Sequence, residues 1–414
     1  MALDVRTPAP APAAPRRLGR AGAFRVVAFV IALAMGASGV PSPLYEIFQQ
    51  HWHFSTFLLT LVFAVYCGGV LTSLLLAGRV SDELGRRPVL IVALAGMAGG
   101  TLLFIAAQSV AWLIAARALQ GLATGAALAT ASAALLDFHP AGDAEHAGFV
   151  NGIVSGAGMA SGIFVSALLA QYGPAPRVLP FVVLLALIVL TLAAVRALPE
   201  SVARAASPQL RPARPHVPRS MRSAFVLASL GVSASWSVMG VVLALGPKLT
   251  AELSGSANHL AGGASVLGIV VAATLASALA QHVEVRRATA NGSLVLALGL
   301  LLMAASLSTG SAAAFAGAGV IVGIGFGIAF LGALRSLTGA VPDHHRAEVM
   351  AAFYLVAYGA NALPALAAGL AVAHLQLFAT FRIFAVAVAL VALAAALAAL
   401  RMAPAVAAVE PAGA

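Results

Sequence analysis

Apolar windows long enough to cross a lipid bilayer recur along this chain almost from end to end, and no other feature narrows its possible folds as much. About 20 apolar residues in a row span a hydrocarbon core about 30 Å thick. Such windows fall at about 24 to 48, 55 to 78, 88 to 107, 110 to 136, 147 to 171, 178 to 198, 223 to 247, 260 to 281, 291 to 309, 312 to 335, 347 to 373 and 378 to 402. Of 414 residues, 61% are hydrophobic and 9% charged, too few charges to clothe a soluble domain of that length. Backbone groups in hydrocarbon must pair within their own segment, so each window is predicted to be a helix. The expected fold class is an all-α membrane protein with twelve transmembrane helices.

A formal net charge of +10 raises the question of a nucleic-acid partner. With the windows numbered as spans 1 to 12, the position of the basic residues answers it. Eighteen of the 23 Lys and Arg lie in the N-terminal segment, the even-numbered loops or the C-terminus. Only Arg177, Lys248 and Arg382 lie in odd-numbered loops, while Arg117 and Arg335 lie inside spans. Lys and Arg accumulate in cytoplasmic loops. Both termini are therefore expected in the cytoplasm, in a multi-pass protein of the cell inner (plasma) membrane whose partner is the lipid bilayer and not nucleic acid.

The single cysteine, Cys67, allows no intrachain disulfide. An Ala/Pro tract precedes the first window, the reverse of a cleavable signal peptide. Residues 1–22 are thus expected to be a disordered cytoplasmic tail, followed by a six-helix bundle over 23–198. Residues 199–222 carry Pro199, Pro208, Pro212, Pro215 and Pro218 with five arginines, and read as a solvated cytoplasmic linker. A second bundle over 223–402 and a tail over 403–414 complete the division.

The two halves echo one another. Arg86-Arg87 recurs as Arg286-Arg287, Ala144-Glu145 as Ala347-Glu348, Gly156 as Gly359, and Pro43-Leu44 more loosely as Pro247-Lys248-Leu249. Nearly equal shifts in one order point to a duplicated six-helix unit, two pseudo-symmetric bundles able to rock about a central site.

Between spans 2 and 3 runs Gly78-Arg79-Val80-Ser81-Asp82-Glu83-Leu84-Gly85-Arg86-Arg87-Pro88. A turn so rich in charge belongs at the membrane surface. Gly78, Asp82, Gly85, Arg86 and Arg87 are similar to the signature loop of the major facilitator superfamily, with Glu83 and Arg79 departing from its pattern. Arg117-Ala118-Leu119-Gln120-Gly121 with Gly125 in span 4, and Leu198-Pro199-Glu200-Ser201 after span 6, resemble two further markers of that family. The resemblance covers almost the whole chain and implies a transporter.

In that family the loop between spans 2 and 3 is a cytoplasmic gate latch. The resemblance implies that Asp82 faces the N-terminus of span 11, where a helix dipole favours an anion, and that Arg86 reaches an acid at the end of span 4, a place Asp137 fits. The alternative is that these are solvated interfacial charges. The family's span-4 arginine is associated with proton coupling. Arg117 lies about 10 Å inside its span, where a charge needs a partner or a polar cavity. Glu46, nearest in height, is the expected partner; alternatively it sits at the water interface with Tyr45 and Trp52.

Ser38, Tyr66, Gln120, Ser235, Trp236, Tyr358 and Asn361 are polar or aromatic near mid-depth and are candidates to line a substrate cavity. Spans 1, 4, 7 and 10 line it in the family, which favours Ser38, Gln120, Ser235 and Trp236; each could instead make an interhelical hydrogen bond. No acid lies at mid-depth, unlike family members that bind cationic drugs through a buried carboxylate. Arg335 could attract an anion or snorkel to the interface. Gly152, Gly156 and then Ala157 in span 5 match the family's antiporter pattern only in part, without its proline; these glycines with Gly158, Ala160 and Gly162, and Gly323, Gly325 and Gly327 in span 10, read as close packing. Pro41, Pro43 and Pro247 read as kink points.

The only lysine, Lys248, follows a proline, so no phosphate loop for ATP exists. The pairs His344-His345 and His51/His53 read as surface residues and not as metal sites, and no cofactor is expected. The expected function is therefore gradient-driven: a proton-coupled secondary transporter, acting as a monomer on a small-molecule substrate, by antiport and efflux of amphipathic compounds. Import of a small organic anion by symport, or a scaffold that kept the fold and lost transport, are the alternatives. An enzyme is not expected, because no nucleophile, base or metal set clusters at depth.

Overall fold

A computed structural model of the chain describes residues 17–202, 214–255, 258–342 and 345–401. Most of both expected tails, linker residues 203–213, and Asp343 and His344 lie outside the described residues. Among those described there is no strand. Twelve helices among the described residues are long and apolar enough to cross a membrane: Arg20–Trp52, Thr56–Leu76, Arg86–Ile105, Val110–Asp137, Ala144–Tyr172 and Leu179–Arg196 in the first bundle, then Arg219–Ser254, Leu260–Leu279, Val285–Thr309, Ala312–Thr338, Glu348–Leu375 and Leu377–Arg401 in the second. These are spans 1 to 12.

Local chemistry sets their ends. Ser55, Asn258 and Ser311 each precede a helix and accept a hydrogen bond from one of its free N–H groups. Asp143 does the same for span 5, and the N–H groups of His146 and Glu145 hold its carboxyl below the usual carboxylate range. Span 1 is broken where its prolines fall. Its helix stops at Gly39, a short 3₁₀ turn covers Ser42–Leu44, and a second helix runs over Tyr45–Trp52. Pro247, in contrast, lies inside a helix that continues from Arg222 to Ser254.

Call the end holding Arg20, the 78–88 turn and Arg401 the proximal end, and the other the distal end. The bundles meet mainly where span 2 packs on span 11 and span 5 on span 8. Three described hydrogen bonds cross between them, all in the distal part. Ser42 Oγ donates to the Leu243 carbonyl at 2.7 Å, and Lys248 Nζ donates to Gln49 Oε1 and Thr56 Oγ1 at 3.4 Å each. There too, the missing side chain of Gly369 makes room for Thr60.

Glycines set the helix spacing inside each bundle. In span 5 the close face is Gly158 and Gly162, where an added Cβ would fall on the carbonyls of Ala32 and Gly36 of span 1. Gly152 faces open space and Gly156 faces Thr274 of span 8, so the small residues read as close packing serve different neighbours. Gly323 and Gly327 bring span 10 onto the backbone of span 8, and Gly325 brings it onto span 9.

Candidate functional site

At the proximal end, the helix that carries span 2 runs on to Leu84 and the next begins at Arg86. Gly85 joins them at φ +95, a left-handed conformation that only glycine adopts freely, and a Cβ there would stand 2.7 Å from Glu200 Oε2. Glu200 uses that room. Its Oε1 accepts from Arg86 N at 2.7 Å and its Oε2 from Arg87 N at 3.2 Å, so it caps the helix of span 3 from 114 residues away.

Arg86 itself is 9% exposed. Its Nη1 pairs with Asp82 Oδ1 at 2.5 Å and donates to Ser81 Oγ at 2.6 Å, while its Nε reaches Asp137 Oδ2 at 3.2 Å. Ser201 Oγ donates to the same Asp137 oxygen at 2.9 Å. One guanidinium thus ties the end of span 2 to the end of span 4 and the start of the linker. Gly78 lies one turn before Asp82 on the same helix. The Asp82 side chain is turned onto Arg86 across the Gly85 turn and is 55% exposed, and among the described residues no hydrogen bond or ion pair joins it to the N-terminus of span 11.

Deep in the first bundle, Arg117 is 1% exposed. Gly121 and Gly125 allow span 4 to lie against the carbonyls of Tyr66 and Val70 of span 2, which sets the Tyr66 ring 4.8 Å from the guanidinium carbon. Arg117 donates to Tyr45 Oη from Nε at 2.8 Å, to Gln120 Oε1 from Nη1 at 2.7 Å, and to the Ser38 carbonyl at 3.3 Å. Gln120 Nε2 in turn donates to the Ala37 carbonyl at 3.0 Å.

The expected Glu46–Arg117 pair is corrected. Glu46 is half-buried and accepts from Gln50 Nε2, while its neighbour Tyr45 holds the arginine. Consecutive helical residues point about 100° apart, and the 3₁₀ turn before Tyr45 aims that residue inward. Tyr45, Glu200 and Ser201 are thus contributors that sequence reasoning did not assign. Only Glu200 and Ser201 carried a signal, as part of a family marker.

Of the other cavity candidates, Trp236 and Tyr358 meet edge to face at 4.8 Å and are both partly exposed. Asn361 lies one turn beyond Tyr358 and is 8% exposed. Trp236 Nε1 and Asn361 Oδ1 are buried without a partner. Ser235 joins neither group: it is buried and donates to the Gly231 carbonyl of its own helix. Arg335 does not snorkel freely. It donates to the carbonyls of Gln281 and Val283, holding the turn after span 8.

Glu200→Ala is expected to lower stability by about 1–2 kcal/mol, the cost of losing a helix cap, read as an earlier thermal unfolding of the purified protein. Unchanged unfolding would show that the cap contributes nothing.

Twelve spans in two related bundles, with polar groups gathered at mid-depth and a charged cluster at one end, define a membrane transport protein. The chain belongs to the Major Facilitator Superfamily, which it matches over residues 27–234. It is 44% identical over 101 residues to puromycin resistance protein pur8 of Streptomyces alboniger, a match covering 24% of this chain and 20% of that protein. The chain therefore matches about a fifth of that relative's length. Among solved structures, a mutant of the nucleoside transporter NupG superposes with TM-score 0.70 at 12% identity, over 91% of this chain and 99% of that one. The human organic anion transporter MFSD10 (TETRAN) does so with TM-score 0.61 at 18% identity, over 92% and 100%. At such identities the likeness is one of fold.

Proposed function

We propose that this chain is a proton-coupled secondary transporter that exports small amphipathic compounds by alternating access across the plasma membrane, with both termini in the cytoplasm. The observation that carries the reading is the distal location of every described hydrogen bond between the bundles. Distal hydrogen bonds between the bundles, with the proximal ion pairs lying inside the first bundle, support a transporter that alternates between two states, the present one closed at its distal end. In the other state Asp82 leaves Arg86 for the N-terminus of span 11. Export is supported by the relative named for puromycin resistance, the outcome an exporter produces. An amphipathic substrate suits the paired rings of Trp236 and Tyr358, with one unused donor on Trp236 and one unused acceptor on Asn361. Proton coupling rests on the likeness of Arg117 to the family's span-4 arginine.

A second reading, symport of a small organic anion, is favoured by Arg117 alone, a buried cation with no carboxylate within ion-pair distance among the described residues. Purified protein in liposomes with an internal pH dye, challenged with drugs and organic acids, separates the two. Drug-evoked loss of luminal protons supports the exporter, and acid-evoked luminal acidification supports the symporter. No compound flux and no pH change would overturn both. In the same assay Asp82→Asn is expected to lower transport about tenfold with normal membrane insertion, since a charge-assisted bond of about 1.5 kcal/mol shifts a two-state balance by that factor. Normal turnover in the variant would remove Asp82 from the latch.

A further inference from the structure

We propose that the proximal groove lined by Arg17, Arg87, Pro88, Ile91, Val92 and Glu200 is a binding site for the phosphate headgroup of an anionic phospholipid. The groove has a volume of about 540 Å³ and opens beside the first turns of span 3. Its floor is Pro88, Ile91 and Val92. Val92 is 71% exposed within a span whose length and composition put it in hydrocarbon, about 9 Å in from Arg86. The groove is therefore apolar where acyl chains begin and basic at headgroup height.

Both arginines are held by their backbones and left free at their guanidinium groups. Leu18 N donates to the Ala197 carbonyl at 3.0 Å, fixing the segment that carries Arg17 to the end of span 6. Arg87 N is held by Glu200 at 3.2 Å. Among the described residues neither guanidinium has a carboxylate within ion-pair distance, and Arg87 Nε is buried with no partner at all. Glu200, the one acid in the groove, has both oxygens occupied by the N–H groups of Arg86 and Arg87. Two unpaired cations at a span end, above an apolar floor, match a negatively charged phosphodiester with attached acyl chains. A soluble phosphate would have no use for the floor.

The test is native mass spectrometry of the purified full chain with phosphatidylglycerol or phosphatidylcholine of identical acyl chains. Wild type is expected to retain phosphatidylglycerol preferentially, with a preference of about fivefold for each arginine. Arg17→Gln should reduce that preference about fivefold, Arg17→Gln/Arg87→Gln should bring it to parity, and Arg382→Gln at the distal end should leave it intact. Equal retention of both lipids by wild type overturns the proposal. Undiminished preference in Arg17→Gln, which lies outside the gate cluster and decides the matter alone if the double variant fails to fold, also overturns it. Displacement of the lipid by equimolar inorganic phosphate would mark a soluble anion as the ligand and equally overturn it.

Discussion

Arg117→Met is expected to reduce transport by at least about tenfold while leaving thermal stability within about 2 kcal/mol of wild type. The two effects separate because the stability terms oppose each other. An arginine at the centre of a span costs about 2.5–3.5 kcal/mol to insert, and methionine removes that cost. Against it, Tyr45 Oη and Gln120 Oε1 lose their partner in a site where Tyr45 is 2% and Gln120 0% exposed. Each buried polar group left unpaired costs about 1–3 kcal/mol. The sums nearly cancel, so the arginine adds little to stability. Arg117→Lys is expected to fall between, since an ammonium cannot reach Tyr45, Gln120 and the Ser38 carbonyl with the planar fork used here. Substrate flux in liposomes and thermal unfolding in detergent measure the two quantities independently. Full flux in Arg117→Met would reduce the residue to a packing element.

The second large effect comes from a residue with no side chain. Gly158→Val is expected to destabilise the protein by about 3 kcal/mol, the upper end for overpacking. Its Cβ alone would fall on the Ala32 carbonyl, with the Ala32 backbone on the same side and nothing flexible to yield. Span 1 would have to move. It carries Ser38 and Tyr45, two of the groups that hold Arg117, and Ser166 Oγ of span 5 is bonded to its Val40 carbonyl at 2.6 Å. Transport should therefore fall with stability. Gly152→Val, six residues earlier and facing open space, is expected to change stability by less than about 0.5 kcal/mol. Equal behaviour of the two variants would mean that the span 1–span 5 contact is not limiting.

The spans were legible because the thickness of the hydrocarbon imposes a length that composition alone reveals. Gly85 was legible too, as a glycine in the charged turn between spans 2 and 3. What sequence did not reveal is helix rotation. Gly152 and Gly156 are spaced like Gly158 and Gly162, and only the orientation of span 5 decides that the later pair meets span 1. Glu46 and Tyr45 are adjacent in sequence, yet the 3₁₀ turn at Ser42–Leu44 determines which of them reaches Arg117. Glu200 required a third kind of knowledge, the return of the chain after span 6 to the start of span 3.

The distal seam between the bundles is held by a serine, a glutamine, a threonine, a lysine and one backbone carbonyl, with no carboxylate among them. The proximal cluster is made of carboxylates and a guanidinium, with Asp82 open to water. Dissolved salt screens attractions between two exposed charges over about 10 Å at 0.1 M, and acts less on bonds such as those of Lys248 and Ser42, whose acceptors carry no net charge. The two ends of this molecule thus answer differently to ionic strength: concentrated salt loosens the Asp82–Arg86 pair inside the first bundle and acts less on the distal seam that joins the two bundles.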